Sequence, residues 1–181
     1  MNQLFLQIYD AEYRDRLSVA PPWIRAETFR AIFAALPNKP IYIVETGTTW
    51  SVDNWHGDGC STVMFDRYCQ VTGSQLWTID IADRKELHTN LKHTTIITGN
   101  SIDVLADWKL PIDLLYLDTA DDRTGAHQLN ELAAAMHCLK IGSVVAVDDV
   151  PYKSSKVVEY MKLLGNAEEI VMGYQAAWRL A

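Results

Sequence analysis

The sequence is short of several things, and each shortage closes off a class of function. It holds only three cysteines among 181 residues, Cys60, Cys69 and Cys138, and no two form a CxxC pair. Structural zinc sites need such close pairs, and the five histidines do not supply what is missing. An odd number of thiols leaves no complete disulfide framework, so free thiols in a reducing compartment are expected. Basic residues are outnumbered, 16 Lys plus Arg against 23 Asp plus Glu, for a formal charge of −7. That balance lacks the positive footprint of a phosphate-backbone binder, and no nucleic-acid partner is expected. No run approaches the ~18 apolar residues of a membrane helix, and no membrane partner is expected. The opening Met1-Asn2-Gln3-Leu4-Phe5-Leu6 has no basic stretch and meets Asp10, Glu12 and Arg14 soon after. It does not read as a signal peptide, and a cytoplasmic protein is expected. Repeats, low-complexity tracts and linkers are absent too, so the chain reads as a single domain. Oligomeric state is not legible.

What is present is a change of rhythm near residue 38. Before it, Phe5, Ile8, Tyr9 and Tyr13 recur at helical spacing, as do Ile24, Phe29, Ile32, Phe33 and Leu36. Pro21-Pro22 punctuates between these two helices, and Pro37 and Pro40 follow the second. Residues 1–38 therefore read as a helical cap on a core of residues 39–181. In the core, short apolar runs at 41–45, 76–81, 95–98, 112–118 and 143–148 alternate with helix-like stretches at 61–71, 84–92, 101–108, 125–139 and 154–164. That alternation predicts an α/β fold, a doubly wound, Rossmann-like parallel sheet with helices on both faces. Two last runs, 169–172 and 174–180, meet at Gly173, too short a connection for anything but an antiparallel hairpin. Ligands of such sheets bind at the carboxyl ends of the strands. Here those ends carry Glu45, Asp80, Asp118 and Asp148-Asp149.

Each strand end has its own local chemistry. Val44-Glu45-Thr46-Gly47 leads, after a stretch, to Gly57-Asp58-Gly59-Cys60-Ser61-Thr62. Glycines there let backbone approach a ligand, and Ser61 or Thr62 would cap the following helix. No Lys follows the glycines, which excludes a P-loop, and the carboxylate before Gly47 departs from a nicotinamide-dinucleotide fingerprint. Asp80 falls twenty-one residues after Gly59, the spacing of a carboxylate that accepts both ribose hydroxyls of an adenosine ligand. Gly99-Asn100-Ser101 either presents Asn100 and Ser101 to an adenine edge or caps a helix. Leu115-Tyr116-Leu117-Asp118 and Val145-Ala146-Val147-Asp148-Asp149 bring three carboxylates together. They repel one another unless something positive sits among them, and hard oxygen ligands favour Mg²⁺ or Ca²⁺. The other reading is one aspartate facing a cofactor while the others cap loops.

Taken in order, Glu45-x-Gly47, the Gly-Ser-Thr helix start, Asp80, Gly99-Asn100-Ser101, 112–118 and the run from Leu139 to Asp149 resemble class I S-adenosylmethionine-dependent methyltransferases. Within them the pattern is similar to the small metal-dependent O-methyltransferases of catechol and macrolide-sugar type. The resemblance implies Glu45 and Gly47 by the methionine part of S-adenosylmethionine, with Gly57, Gly59 and Ser61 on the same loop and helix start. It places Asp80 and its neighbour Ile81 at the ribose, and Asn100 and Ser101 at adenine. Asp118 also faces the cofactor and, with Asp148 and Asp149, matches the family's Mg²⁺ ligands. The implied activity is methyl transfer to an oxygen of a small-molecule acceptor; the alternative is a degenerate methyltransferase fold acting as a binding or assembly module.

Two features depart from the family. Thr48-Thr49-Trp50-Ser51-Val52-Asp53-Asn54-Trp55-His56 is inserted into a loop that is normally tight. It would cover the cofactor, extend the acceptor wall or weaken cofactor binding. Three residues after Asp118, where catechol-type relatives carry a Lys base, stands Asp121. Asp121 is favoured as the proton acceptor, with Asp122 beside it and His127, whose ordinary pKa suits the task, as the competitor. The place expected for an amino-methyltransferase motif reads Asp118-Thr119-Ala120-Asp121, and Ala20-Pro21-Pro22-Trp23 mimics that motif only superficially.

Overall fold

The computed structural model describes residues 1–18, 24–51, 53–119 and 124–181. Two helices come first, α1 (Asn2–Glu12) and α2 (Ala26–Ala35). Their apolar spacing puts Phe5, Tyr9, Phe29, Ile32 and Phe33 on inward faces, all fully buried. The second helix ends at Leu36, whose backbone is extended (ψ 147°) as the following Pro37 demands. The core then runs β1 (Tyr42–Thr46), α3 (Ser61–Thr72), β2 (Gln75–Asp80), β3 (Thr94–Thr98), α4 (Ser101–Ala106), β4 (Ile112–Leu117), α5 (Ala126–Ala135) and β5 (Leu139–Val147). It closes with α6 (Ser155–Leu163), β6 (Ala167–Met172) and β7 (Ala176–Leu180).

The strands form one sheet in the order β3-β2-β1-β4-β5-β7-β6. The first five are parallel, and β7 lies antiparallel between β5 and β6. The doubly wound sheet and terminal hairpin predicted from the apolar rhythm are both present. Strand alternation divides the core in two. Ile43, Leu114, Tyr116, Val144 and Ala146 face α1, α2 and α3, while Val44, Leu115, Leu117, Val145 and Val147 face α5 and α6. Burial on both faces is why these strands read as continuous apolar runs.

One expected element is absent: residues 84–92 form turns, not a helix. Their backbone bonds run i to i−3, from Leu87 to Arg84, His88 to Lys85 and Leu91 to His88. The buried His88 ring is tied to the Thr49 carbonyl, which holds the segment against the inserted loop instead of letting it wind on.

Chain order reverses between β1 and β4, and the registers Thr46↔Ile79, Thr46↔Leu117 and Leu117↔Val147 bring four strand ends level on one edge. The ladder runs on past that edge through Gly47 N–H to Ile79 O (2.8 Å), Asp118 N–H to Thr46 O (2.8 Å) and Asp148 N–H to Leu117 O (3.0 Å). The loops thus leave the sheet from fixed positions. Helix packing behind this edge rests on Phe33, whose ring lies 4.6 Å from Phe5, 5.5 Å from Tyr68 and 5.6 Å from Phe65, centroid to centroid. Phe33→Ala is expected to lower stability by about 3–5 kcal/mol in urea unfolding.

Candidate active site

A cavity of about 560 Å³ opens at the strand edge where chain order reverses. Gly47, Gly57, Asp80, Ile81, Asn100, Ser101, Asp118, His127 and Asp149 all line it, so most of the residues singled out in the sequence do meet there. Gly47 is required by contact as well as conformation. Its φ is +84°, and a Cβ would stand 2.2 Å from the Asp118 carbonyl oxygen. Asp80 accepts from the Ala82 amide at 2.8 Å and the Thr48 amide at 3.2 Å. Asn100 caps α4, accepting from the Ile102 amide at 3.0 Å, while remaining on the cavity wall. The inserted loop forms the facing wall with Thr48 and Trp50. Asp58 closes that loop by accepting from the amides of Trp50 (3.1 Å) and Ser51 (3.2 Å).

Three expected cofactor contacts lie elsewhere. Glu45 points into the protein, fully buried, and accepts from Ser61 Oγ at 2.5 Å and Thr62 Oγ1 at 2.6 Å. Ser61 is therefore spent on fixing the start of α3, whose N-cap is Cys60 in a left-handed conformation (φ 50°) with no side-chain cap. Gly59 is not on the cavity lining but packs behind Arg25, which is, with a would-be Cβ 3.0 Å from the Arg25 Cδ. Burial pushes the Glu45 carboxyl up to about 7, with the Ser61, Thr62 and Thr78 hydroxyls opposing.

The three aspartates meet at the other end, with two cations among them. Lys153 Nζ lies 2.7 Å from Asp118 Oδ1 and 3.0 Å from Asp149 Oδ2. Arg25 Nε lies 2.9 Å from Asp148 Oδ2, and its Nη2 donates to Asp149 Oδ1 at 3.1 Å. Asp148 also accepts from Tyr116 Oη at 3.0 Å and the Asp149 amide at 2.7 Å. Burial alone pushes Asp118 and Asp148 up and Lys153 down; the mutual pairing reverses that for Lys153, whose pKa rises. Asp149 is pushed up by burial too, but Lys153 and the Tyr174 hydroxyl outweigh it and hold the carboxyl below its ordinary value.

The expected metal does not fit this arrangement. Among the described residues no group of three His, Cys, Asp or Glu is disposed to hold one. The positive charge the carboxylates need comes from Arg25 and Lys153, neither foreseen. Lys153 left one signal, standing four residues after Asp149 on what turns out to be a helical turn (Lys153 N–H to Asp149 O, 3.0 Å). Arg25 left none, being 123 residues from Asp148.

Glu131 was missed as well. It is fully buried beneath the cavity, accepting from Thr46 Oγ1 and Thr119 Oγ1 at 3.1 Å each and from Ser101 Oγ. Burial pushes its carboxyl up. His127 Nε2 lies 3.3 Å from Glu131 and 3.2 Å from Ser101 Oγ, which puts His127 at the Asn100–Ser101 end, away from the aspartates' cations. Asp121 and Asp122 lie outside the described residues.

The family described as a methyltransferase domain matches residues 28–150. Among solved structures, the chain superposes on MycE, a methyltransferase from the mycinamycin biosynthetic pathway in complex with Mg and SAH. The TM-score is 0.68 at 15% identity, covering 99% of this chain and 54% of that one. The chain thus spans about half the length of MycE. It also superposes on a TDP-rhamnose 3′-O-methyltransferase of calicheamicin biosynthesis, with a TM-score of 0.61, 15% identity and coverage of 98% and 92%. A SAH-bound methyltransferase of Podospora anserina gives 0.61, 13%, 99% and 87%. At these identities the likeness is one of fold. No curated protein matches the sequence.

Two expectations follow from the buried charges. Arg25→Met leaves Asp148 without its cation and should cost about 3–5 kcal/mol in urea unfolding at neutral pH, with Asp148→Asn recovering most of it in the double variant. For Glu45, a folded pKa raised from 4.5 to about 7 means that the native state keeps a proton the unfolded chain has lost. Its contribution is nil below the unfolded pKa and turns unfavourable as pH rises through that window, by about 3 kcal/mol in all. Stability measured from pH 4.5 to 7 should therefore decline less in Glu45→Gln than in the wild type.

Proposed function

The chain belongs to the methyltransferase-domain family, and on that premise we propose that it transfers a methyl group from S-adenosylmethionine to an oxygen of a small-molecule acceptor. The observation that carries the reading is the cavity at the reversal of strand order, with Asp80, Ile81 and Asn100 among its lining residues and Asp118, Asp149 and Lys153 among the others. Its volume is in the range of small-ligand pockets. The likeness to SAH-bound neighbours supports the cofactor, and the likeness to MycE bound to mycinamycin VI and to a sugar O-methyltransferase supports the acceptor class.

When bound, S-adenosylmethionine supplies an electrophilic methyl on a sulfonium centre. Asp80 is the acceptor for the ribose hydroxyls, and the exposed Ile81 offers an apolar face beside it. Asn100, Ser101 and His127 form the adenine end, a placement that assigns His127 to the wall and leaves proton transfer to another group. Asp118 and Asp149, fixed by Lys153, orient the acceptor hydroxyl; alignment is the larger part of the task in an in-line transfer. The proton goes to Asp58, which lines the same cavity and whose carboxyl burial pushes up to about 6, against the two amides it accepts from. A group with that proton affinity suits general-base work near neutrality. No step passes through Mg²⁺, because the three aspartates expected to hold it are already paired.

Calorimetric titration with S-adenosylhomocysteine tests the cofactor. The wild type should bind it, and Asp80→Ala should lose about 1.5–3 kcal/mol, roughly ten- to a hundredfold in affinity. A folded wild type with no affinity at millimolar ligand would overturn the reading and leave a non-enzymatic binding module in its place.

A further inference from the structure

We propose that Lys153, seconded by Arg25, permanently fills the cation position among Asp118, Asp148 and Asp149, so that this chain works on an internal ammonium and takes up no divalent metal there. The consequence for the acceptor rests on the methyltransferase reading; the occupancy does not.

The first ground is the saturation of the oxygens. At least five of the six carboxylate oxygens already accept. Asp118 Oδ1 and Asp149 Oδ2 take Lys153, and Asp149 Oδ1 takes Arg25. Asp148 Oδ1 takes Arg25 and the Asp149 amide, and its Oδ2 takes Arg25 and Tyr116. A metal would have to break these charge-assisted bonds before gaining its own. The second ground is immobility. The Lys153 side chain is 11% exposed and that of Arg25 2%, so neither is a surface chain free to swing aside.

The backbone is shaped to deliver the ammonium. Asp149 adopts a left-handed conformation (φ 54°), a local cost that persists only where the surroundings demand it. From there a single turn, Tyr152 N–H to Asp149 O at 2.8 Å and Lys153 N–H to Asp149 O at 3.0 Å, brings the lysine back over the carboxylates. The start of α5 closes on this turn, where a Cβ on Gly125 would stand 3.1 Å from the Lys153 carbonyl oxygen. On the far side, Arg25 lies over the Tyr174 ring, 4.6 Å from its centroid. The two cations already seated there offset two of the three carboxylate charges, so little attraction is left to draw in a third cation.

The test is metal binding itself, read by Mn²⁺ paramagnetic resonance and by calorimetry with Mg²⁺, on the wild type, Lys153→Met and Lys153→Gln. The wild type should bind neither ion at millimolar concentration, and its affinity for S-adenosylhomocysteine should be the same in EDTA as in Mg²⁺. Removing the ammonium frees oxygens of Asp118 and Asp149, so whichever lysine variant folds should gain one Mn²⁺ per chain, at least an order of magnitude tighter than any wild-type binding. One Mn²⁺ on the wild type, lost in Asp118→Asn, would overturn the proposal. So would a folded lysine variant that gains no metal. Absence of S-adenosylhomocysteine binding is a separate failure, of the methyltransferase reading and not of this one.

Discussion

The bond between Arg25 and Asp148 ties the entry of α2 to the carboxyl end of β5, and the functional edge depends on it. Both side chains are withdrawn from water, a cost the pair offsets only if the remaining polar atoms are satisfied. They are: Tyr116 and the Asp149 amide complete Asp148, while the His56 carbonyl and the Tyr174 ring complete Arg25. The chain of bonds continues outward, from Gln175 Nε2 to Tyr116 Oη at 2.5 Å and from Thr28 Oγ1 to Gln175 Oε1 at 2.6 Å. One buried charge thus fixes α2, β4, β5, the strand β7 that follows Gln175, and the inserted loop relative to one another. A pairing of this kind contributes more to register than to net stability.

Two chemically different solutions to buried acid stand side by side. Glu45 and Glu131 are solvated by hydroxyls; burial raises their pKa values, and the hydroxyl donors oppose that rise without cancelling it. Asp118, Asp148 and Asp149 are solvated by cations. Glu131 takes its hydroxyls from the end of β1, the start of α4 and the loop after β4, so it pins the floor of the cavity from three elements at once. A floor held this way loses little on ligand ordering, because its side chains have no freedom left to give up.

The sequence was legible where the physics is local. Alternating burial on two faces made the strands readable as apolar runs, and the short connection at Gly173, three residues in the structure, allowed only a hairpin. Asp80, Asn100, Asp118 and Asp149 were readable because a residue ending a parallel strand must sit at that edge. Glu45 ended a strand too, but its side chain leaves the sheet on the α3 face, where Ser61 and Thr62 receive it; spacing does not say which face. Residues 84–92 had a helical composition, and the tie from His88 to Thr49, a long-range bond, decided otherwise. Arg25 was illegible for the same reason: its role is defined entirely by partners far along the chain.

Arg25 and the loop after β1 are physically joined at the aspartates. Arg25 Nη1 donates to the His56 carbonyl at 3.2 Å, Gly59 packs on the Arg25 stem, and Arg25 acts electrostatically on Asp58. Asp80, Asn100 and Ser101 lie at the edge formed by β2, β3 and α4. Arg25 holds the loop after β1 through the His56 carbonyl while neutralising Asp148. In this chain, therefore, the inserted loop and the internal cations form one construction: the guanidinium that anchors the new wall also supplies charge to the carboxylates beneath it.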